Sequence, residues 1–165
     1  MILKTRVKNH KKIKQELIEL ITKAPGKKYG ELDKTDWELR NIKDKVYMGL
    51  ILPGITEHTK KLLKILYGKH KKRVKATVAD IWYQVYYEHS KHDWHTHGYT
   101  QFANVYYVDL PDKKYGTKFL NTEKIDVEEG CILTFPSWYL HCSPIIKSKK
   151  RKIVIAYNLD IENIC

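Results

Sequence analysis

Between residues 74 and 158 the chain is cut into short segments rich in Val, Ile, Tyr, Trp and Phe, separated by turn residues, and no other feature restricts the fold as strongly. Candidate strands cover 77–87, 93–97, 102–109, 117–119, 131–135 and 151–158, with linking pieces at Gly98, Pro111-Asp112, Gly116, Glu129-Gly130, Pro136 and Pro144. Many short strands with few helices between them point to an antiparallel barrel or jelly roll. The first half is lysine-rich and helical. Residues 10–23 put Ile13, Leu17, Ile18 and Ile21 on one helical stripe, which Pro25 and Gly26 stop. A second helix is expected over 56–68, with Leu62, Leu63, Leu66 and Tyr67 facing a core and Gly68 ending it. The expected architecture is mainly β, with N-terminal α-helices packed on one outer face of a barrel. It forms a single domain over 1–165, in which 1–73 is mostly helical support and 74–165 is the barrel core; that length can bury a sizeable core without staples.

Composition narrows the function classes. With 42% hydrophobic and 30% charged residues the chain is neither disordered nor fibrous, and no apolar run reaches the length of a membrane span. Its first twelve residues carry lysines but no apolar stretch, so a secretory signal is not expected. Cys131, Cys142 and Cys165 are odd in number and show no paired spacing, which fits a reducing cytoplasm. The net charge of +12 admits nucleic acid as a partner, but the excess is almost all lysine, with arginine only at positions 6, 40, 73 and 151. Base readers usually recruit arginine for bidentate contacts. The lysine cluster at 69–75 is read as a solvated helix end or loop.

Chemistry concentrates around His89, His92, His95 and His97, four of the eight histidines within nine residues. On a strand, residues two apart share a face, so His95 and His97 would form a bidentate half of a metal site. The competing reading is a polar loop with exposed histidines. Residues 129–141 read as turn, buried strand, tight turn and histidine, so the Pro136 turn would aim His141 from a rigid scaffold. Three rings from two strands can occupy one face of an octahedron and leave positions open for reactants. A structural histidine in a hydrogen-bonded corner is the alternative. Arg151 opens the last strand and shares a face with Ile153, Ile155 and Tyr157. If the isoleucines point inward, Arg151 does too, and a guanidinium so placed needs an anion such as a carboxylate. Otherwise it is an exposed strand-end arginine.

In order and spacing, these features resemble the Fe(II)- and 2-oxoglutarate-dependent oxygenases. Within that superfamily the chain resembles the small oxygenases found in bacteriophages and marine bacteria. The matching segments are 34–37, 81–86, 92–97, 104–108, 129–144 and 151–158, so the resemblance spans roughly 33–160. It implies a double-stranded β-helix, Fe(II) held by His95, His97 and His141, and 2-oxoglutarate bound by Arg151, Tyr107, Tyr86 and Ser143. It also implies hydroxylation of a substrate by dioxygen, with 2-oxoglutarate converted to succinate and CO2, in the cytoplasm (the host's, if the gene is a phage's). One departure stands out: the second ligand of the family is an Asp or Glu, and here that position holds His97. Asp93 is an alternative carboxylate ligand, or a residue that holds a histidine N–H. Trp82, Gln84 and Trp138 would form the remaining walls.

Two other readings remain at this point. A metal-binding cupin acting on a small molecule fits His95-x-His97 and the run from Gly130 through Pro136 to His141. It lacks the expected Glu, where Gln101 stands, and gives Arg151 no role. A basic, non-catalytic nucleic-acid-binding module would leave the histidine spacing unexplained. The substrate is not named by the sequence; short loops after the strand ends lean towards a macromolecule, and no membrane partner is expected.

Overall fold

The computed structural model describes residues 1–120, 122 and 124–164, apart from the side chain of Ile42; Cys165 lies outside the described residues. Cys131 and Cys142 are buried and free. In chain order the elements are β1 (Leu3–Arg6), α1 (His10–Lys23), β2 (Lys27–Tyr29), β3 (Leu32–Thr35), α2 (Met48–Tyr67), β4 (Val74–Tyr86), β5 (His92–His95), β6 (Phe102–Asp109), β7 (Lys118–Phe119), β8 (Cys131–Pro136), β9 (His141–Ser143) and β10 (Lys152–Asn163). Among the described residues no helix is long and apolar enough to cross a membrane.

The strands form an antiparallel jelly roll. A seven-stranded sheet runs β1-β8-β6-β10-β4-β3-β2, and a three-stranded sheet runs β5-β9-β7. Helix α1 spans the expected residues, because His10, Ile13, Leu17, Ile18 and Ile21 make one buried stripe. Its last carbonyls, at Ile21 and Thr22, accept hydrogen bonds from Lys34 Nζ at 3.1 and 3.0 Å, which ties β3 to the helix end. The chain turns away at Pro25-Gly26. A Cβ at Gly26 would lie 2.1 Å from the Tyr83 hydroxyl, which itself donates to the Pro25 carbonyl, so the turn packs against the sheet only with glycine there.

Helix α2 begins eight residues earlier than the sequence reading placed it. Pro53-Gly54 reads as a helix breaker, yet the helix runs through it. Ile51, Ile55, His58 and Leu62 are buried at helical spacing, and that tertiary burial outweighs the one backbone hydrogen bond a proline forfeits.

Two layers of core lie on either side of the large sheet. Ile81, Tyr83, Val85, Tyr106, Ile132, Ile153, Ile155 and Tyr157 pack against α1 and α2, while Tyr86, Ala103, Tyr107, Leu133, Phe135 and Val154 fill the barrel interior. Strand β10 is thus buried on both faces. Each such Ile or Val contributes on the order of 1.5–3 kcal/mol. Three short strands from the first half, β1, β2 and β3, pair onto the sheet edges, so this half is not only helical support.

Buried polar groups are satisfied in two networks that brace the helices. Asp36 accepts from Tyr47 Oη at 2.9 Å and the Tyr83 backbone N–H at 2.8 Å, and pairs with Lys45 Nζ at 3.0 Å, all in the interior. His58 on α2 bridges Thr5 and Thr134, and Thr134 in turn bonds Asn104 on β6.

Candidate metal centre

Cross-strand register assembles the site. β5 pairs β9 so that His95 stands opposite His141. β5 ends at His95, and His97 lies just beyond it, where its backbone N–H donates to the Ser137 carbonyl at 2.9 Å. The rings converge: centroids are 4.2 Å apart for His95–His141, 5.1 Å for His97–His141 and 5.4 Å for His95–His97. One potential ligand atom from each lies within 4.8 Å of the other two, a spacing that one metal ion can span.

The outer nitrogens fix which atoms face inward. His95 Nδ1 lies 2.7 Å from the Asp93 carbonyl and His141 Nδ1 lies 2.8 Å from the Tyr139 carbonyl. A carbonyl only accepts, so both Nδ1 atoms carry the hydrogen and both Nε2 atoms keep a lone pair. His97 Nδ1 makes the equivalent bond, 2.7 Å long, to Asn158 Oδ1. Burial lowers the pKa of all three rings, that of His141 to about 3, so they are neutral donors at physiological pH. Three neutral imidazoles with every second nitrogen engaged suit Fe(II) or another late divalent metal.

Asp93 is turned away from this cluster. Its carboxylate pairs with Lys91 at 2.9 Å, and it is the backbone carbonyl that holds the histidine. His92 stacks on His95 at 4.0 Å, and Gln84 Nε2 donates to its Nδ1 at 3.2 Å. Gln84 Oε1 accepts from Tyr86 Oη at 2.8 Å, so both ends of that amide are used.

The anion-binding expectation needs a correction. Arg151 was expected on the barrel-facing row with Ile153 and Ile155, but those isoleucines face the helix layer. The Arg151 guanidinium is part-exposed and lies 3.3 Å from Asp109, outside the barrel interior. The inward row is Lys152, Val154, Ala156 and Asn158. Lys152 is 1% exposed and has no carboxylate partner among the described residues. Its ammonium donates to Ser143 Oγ at 2.7 Å and to the Tyr115 carbonyl at 2.8 Å, and sits over the Tyr86 ring at 4.7 Å. Burial pushes its pKa down to about 7. Between Lys152 and the three histidines is a small cavity, also walled by Tyr86, Thr117 and Ser143. Tyr107 stands behind that wall: its hydroxyl is hydrogen-bonded to Thr117 Oγ1 at 2.7 Å.

Sequence reasoning missed Lys152 and Thr117. The signal for Lys152 was the alternation itself: Val154 and Ala156, small enough to leave room, are its row, and the bulkier Ile153, Ile155 and Tyr157 form the other.

His95 and His97 also open onto a cleft of about 510 Å³ lined by Tyr29, Trp37, Arg40, Trp82, Tyr99 and Asn158. Trp82 meets Trp37 edge-on at 4.3 Å, and the Arg40 guanidinium lies over Trp37 at 4.4 Å while pairing with Asp80 at 3.6 Å. Arg40 and Asp80, the basic and acidic side chains that line the cleft, are therefore paired with each other. The basic run at 69–73 precedes β4 at its far end, roughly 26 Å along the strand from Trp82. Trp138 is largely exposed and does not line the cleft.

No family model matches the sequence, and no curated protein is similar to it. Solved structures are. A viral collagen prolyl hydroxylase from Paramecium Bursaria Chlorella virus-1, in its 2-oxoglutarate complex, has a TM-score of 0.71 at 16% identity, covering 96% of this chain and 94% of its own. A 2-oxoglutarate-Fe(II) oxygenase family protein from Burkholderia pseudomallei has a TM-score of 0.72 at 9% identity, covering 96% and 84%. HygX from Streptomyces hygroscopicus, with nickel and 2-oxoglutarate bound, has a TM-score of 0.62 at 10% identity, covering 96% and 82%. At these identities the likeness is one of fold: the chain has the double-stranded β-helix of the 2-oxoglutarate-Fe(II) oxygenases.

Proposed function

We propose that this chain is an Fe(II)- and 2-oxoglutarate-dependent dioxygenase that hydroxylates a substrate while 2-oxoglutarate becomes succinate and CO2. One observation carries the reading: a buried ammonium with no carboxylate partner among the described residues faces three neutral imidazole donors across a small cavity. A buried cation of this kind is costly unless an anion reaches it. A short dicarboxylate, one end on Lys152 and the other on a metal at the histidines, meets both needs.

In this reading His95, His97 and His141 hold the metal, and Lys152 binds the far carboxylate. Ser143, Thr117 and Tyr86 add polar contacts, and Tyr107 positions Thr117 from behind. The metal, when bound, supplies dioxygen activation and oxidative decarboxylation. The protein's own share is orientation and dryness. Phe135 packs against His141 at 4.6 Å, and Trp82 covers His97 at 5.7 Å, which keeps the reacting side apolar. The neutral donor set leaves the full divalent charge to attract an anionic cosubstrate.

The prime substrate enters through the aromatic cleft. The lining charges, Arg40 and Asp80, cancel and do not favour a phosphate polymer; by likeness to the collagen prolyl hydroxylase among the structural neighbours, we assign it a polypeptide segment. The test is anaerobic titration of Fe(II)-loaded protein with 2-oxoglutarate, following the visible charge-transfer band of the chelate. The band is expected in the parent protein and in Arg151→Ala, and lost in Lys152→Met. Metal binding without any band refutes the cosubstrate assignment, and the opposite mutant pattern returns that role to Arg151.

A further inference from the structure

The three histidines differ in what holds their outer nitrogens. His95 and His141 donate to backbone carbonyls, which have no second option. His97 alone is held by a side chain, the amide of Asn158, which is 4% exposed. An amide is ambivalent where a carbonyl is not. With Oδ1 towards His97, the hydrogen sits on Nδ1 and the Nε2 lone pair faces the other two rings. Rotated by half a turn, the amide would present Nδ2, the hydrogen would move to Nε2, and His97 could not bind a metal. The Asn158 amide nitrogen has no hydrogen-bond partner among the described residues and borders the open cleft.

From this geometry we infer that Asn158 is a positioning residue that selects the metal-binding tautomer of His97, and so decides whether the site has three nitrogen donors or two. Asn158 touches neither metal nor cosubstrate; it acts through His97. The inference rests on the metal-binding part of the reading above. It is specific to this chain, because a carboxylate in place of His97 would have no tautomer to select. Strand β10 then serves the site at both ends of its inward row, through Lys152 and through Asn158.

Co(II) is the probe, because its visible d–d absorption reports the number and strength of nitrogen donors without turnover or 2-oxoglutarate. Asn158→Asp keeps the acceptor and removes the ambivalence; Asn158→Leu keeps the volume and removes the acceptor. The expected order of Co(II) affinity is Asn158→Asp at least equal to the parent, and Asn158→Leu about 10- to 100-fold weaker. The Asn158→Leu spectrum should approach that of His97→Ala, and the Asn158→Asp spectrum that of the parent. Equal affinity and spectrum in parent and Asn158→Leu overturns the inference, as does an Asn158→Asp protein that binds more weakly than the parent. If Asn158→Leu does not fold by circular dichroism, the comparison of Asn158→Asp with the parent decides alone. A parent protein that binds Co(II) through three nitrogens but gives no Fe(II)–2-oxoglutarate band refutes the oxygenase reading and leaves this inference standing.

Discussion

Replacing Lys152 with methionine should make the protein more stable and unable to use its cosubstrate. A lysine whose pKa falls from about 10.4 in the unfolded chain to about 7 in the fold is destabilised in its charged form by about 5 kcal/mol. Methionine retains most of the apolar stem and removes that cost. Against it stand two acceptors, Ser143 Oγ and the Tyr115 carbonyl, each of which loses a donor at about 1–2 kcal/mol. The net gain is about 2 kcal/mol at neutral pH, or roughly 4–8 °C in Tm for a chain of this size. The sign follows from the depressed pKa: between pH 7 and 10.4 the unfolded lysine binds a proton that the folded one does not. The wild-type protein therefore gains stability as pH rises through that window, and its gap to Lys152→Met closes. Urea unfolding at several pH values measures this. In metal-loaded protein, saturating 2-oxoglutarate at about 100 times Kd should add about 2.7 kcal/mol to wild type and nothing to the variant. A Lys152→Met protein that is less stable than wild type near pH 7, or that keeps the 2-oxoglutarate shift, refutes the argument that an unpaired buried ammonium is held for an anion.

The other buried networks make independent predictions. His58 is nearly inaccessible, and burial lowers its pKa to about 4. Since the unfolded histidine protonates near 6.5, stability should fall by about 3 kcal/mol as pH drops from 6.5 to 4. His58→Gln should show that much less acid dependence in urea midpoints, and an unchanged slope would rule out the assigned neutral network. Asp36→Ala strands the buried Lys45 ammonium and should cost about 3–5 kcal/mol in chemical denaturation. A loss below 1 kcal/mol would mean that the pair does not brace the helix layer.

Where the sequence carried a strong period, the fold was legible. The limits of α1 and β6 agree with the sequence reading: α1 has one buried stripe, and β6 is a near-continuous buried run bounded by turn residues. Strands β1, β2 and β3 were not legible: Lys4, Lys27, Lys28 and Lys34 interrupt them, and they owe their conformation to pairing at the sheet edges, with Leu32 and Thr35 of β3 the only fully buried positions among them. β9 escaped because His141-Cys142-Ser143 is short and polar. At the site, His95, His97 and His141 come together as the spacing implied, because β5 and β9 are neighbours in register. The basic side chain that faces the barrel lies one residue on from the expected one, for a definite reason. Alternation says which residues of β10 share a face, but with both faces buried it does not say which face is the barrel's.

That double burial ties the proposed site to parts of the molecule that never approach it. Ile153 and Ile155 are seated among the side chains of α1 and α2, and Lys152 lies one step along the same ribbon on the reverse side. Because close-packed interiors transmit displacement rather than absorb it, the depth to which the ammonium projects is set by how the helices grip the other side. If Lys152 binds the proposed cosubstrate, its affinity is open to tuning by substitutions at Leu17 or Ile21, in a layer with no chemical group to contribute. Drift in that layer is limited by a constraint read out on the opposite side of the sheet.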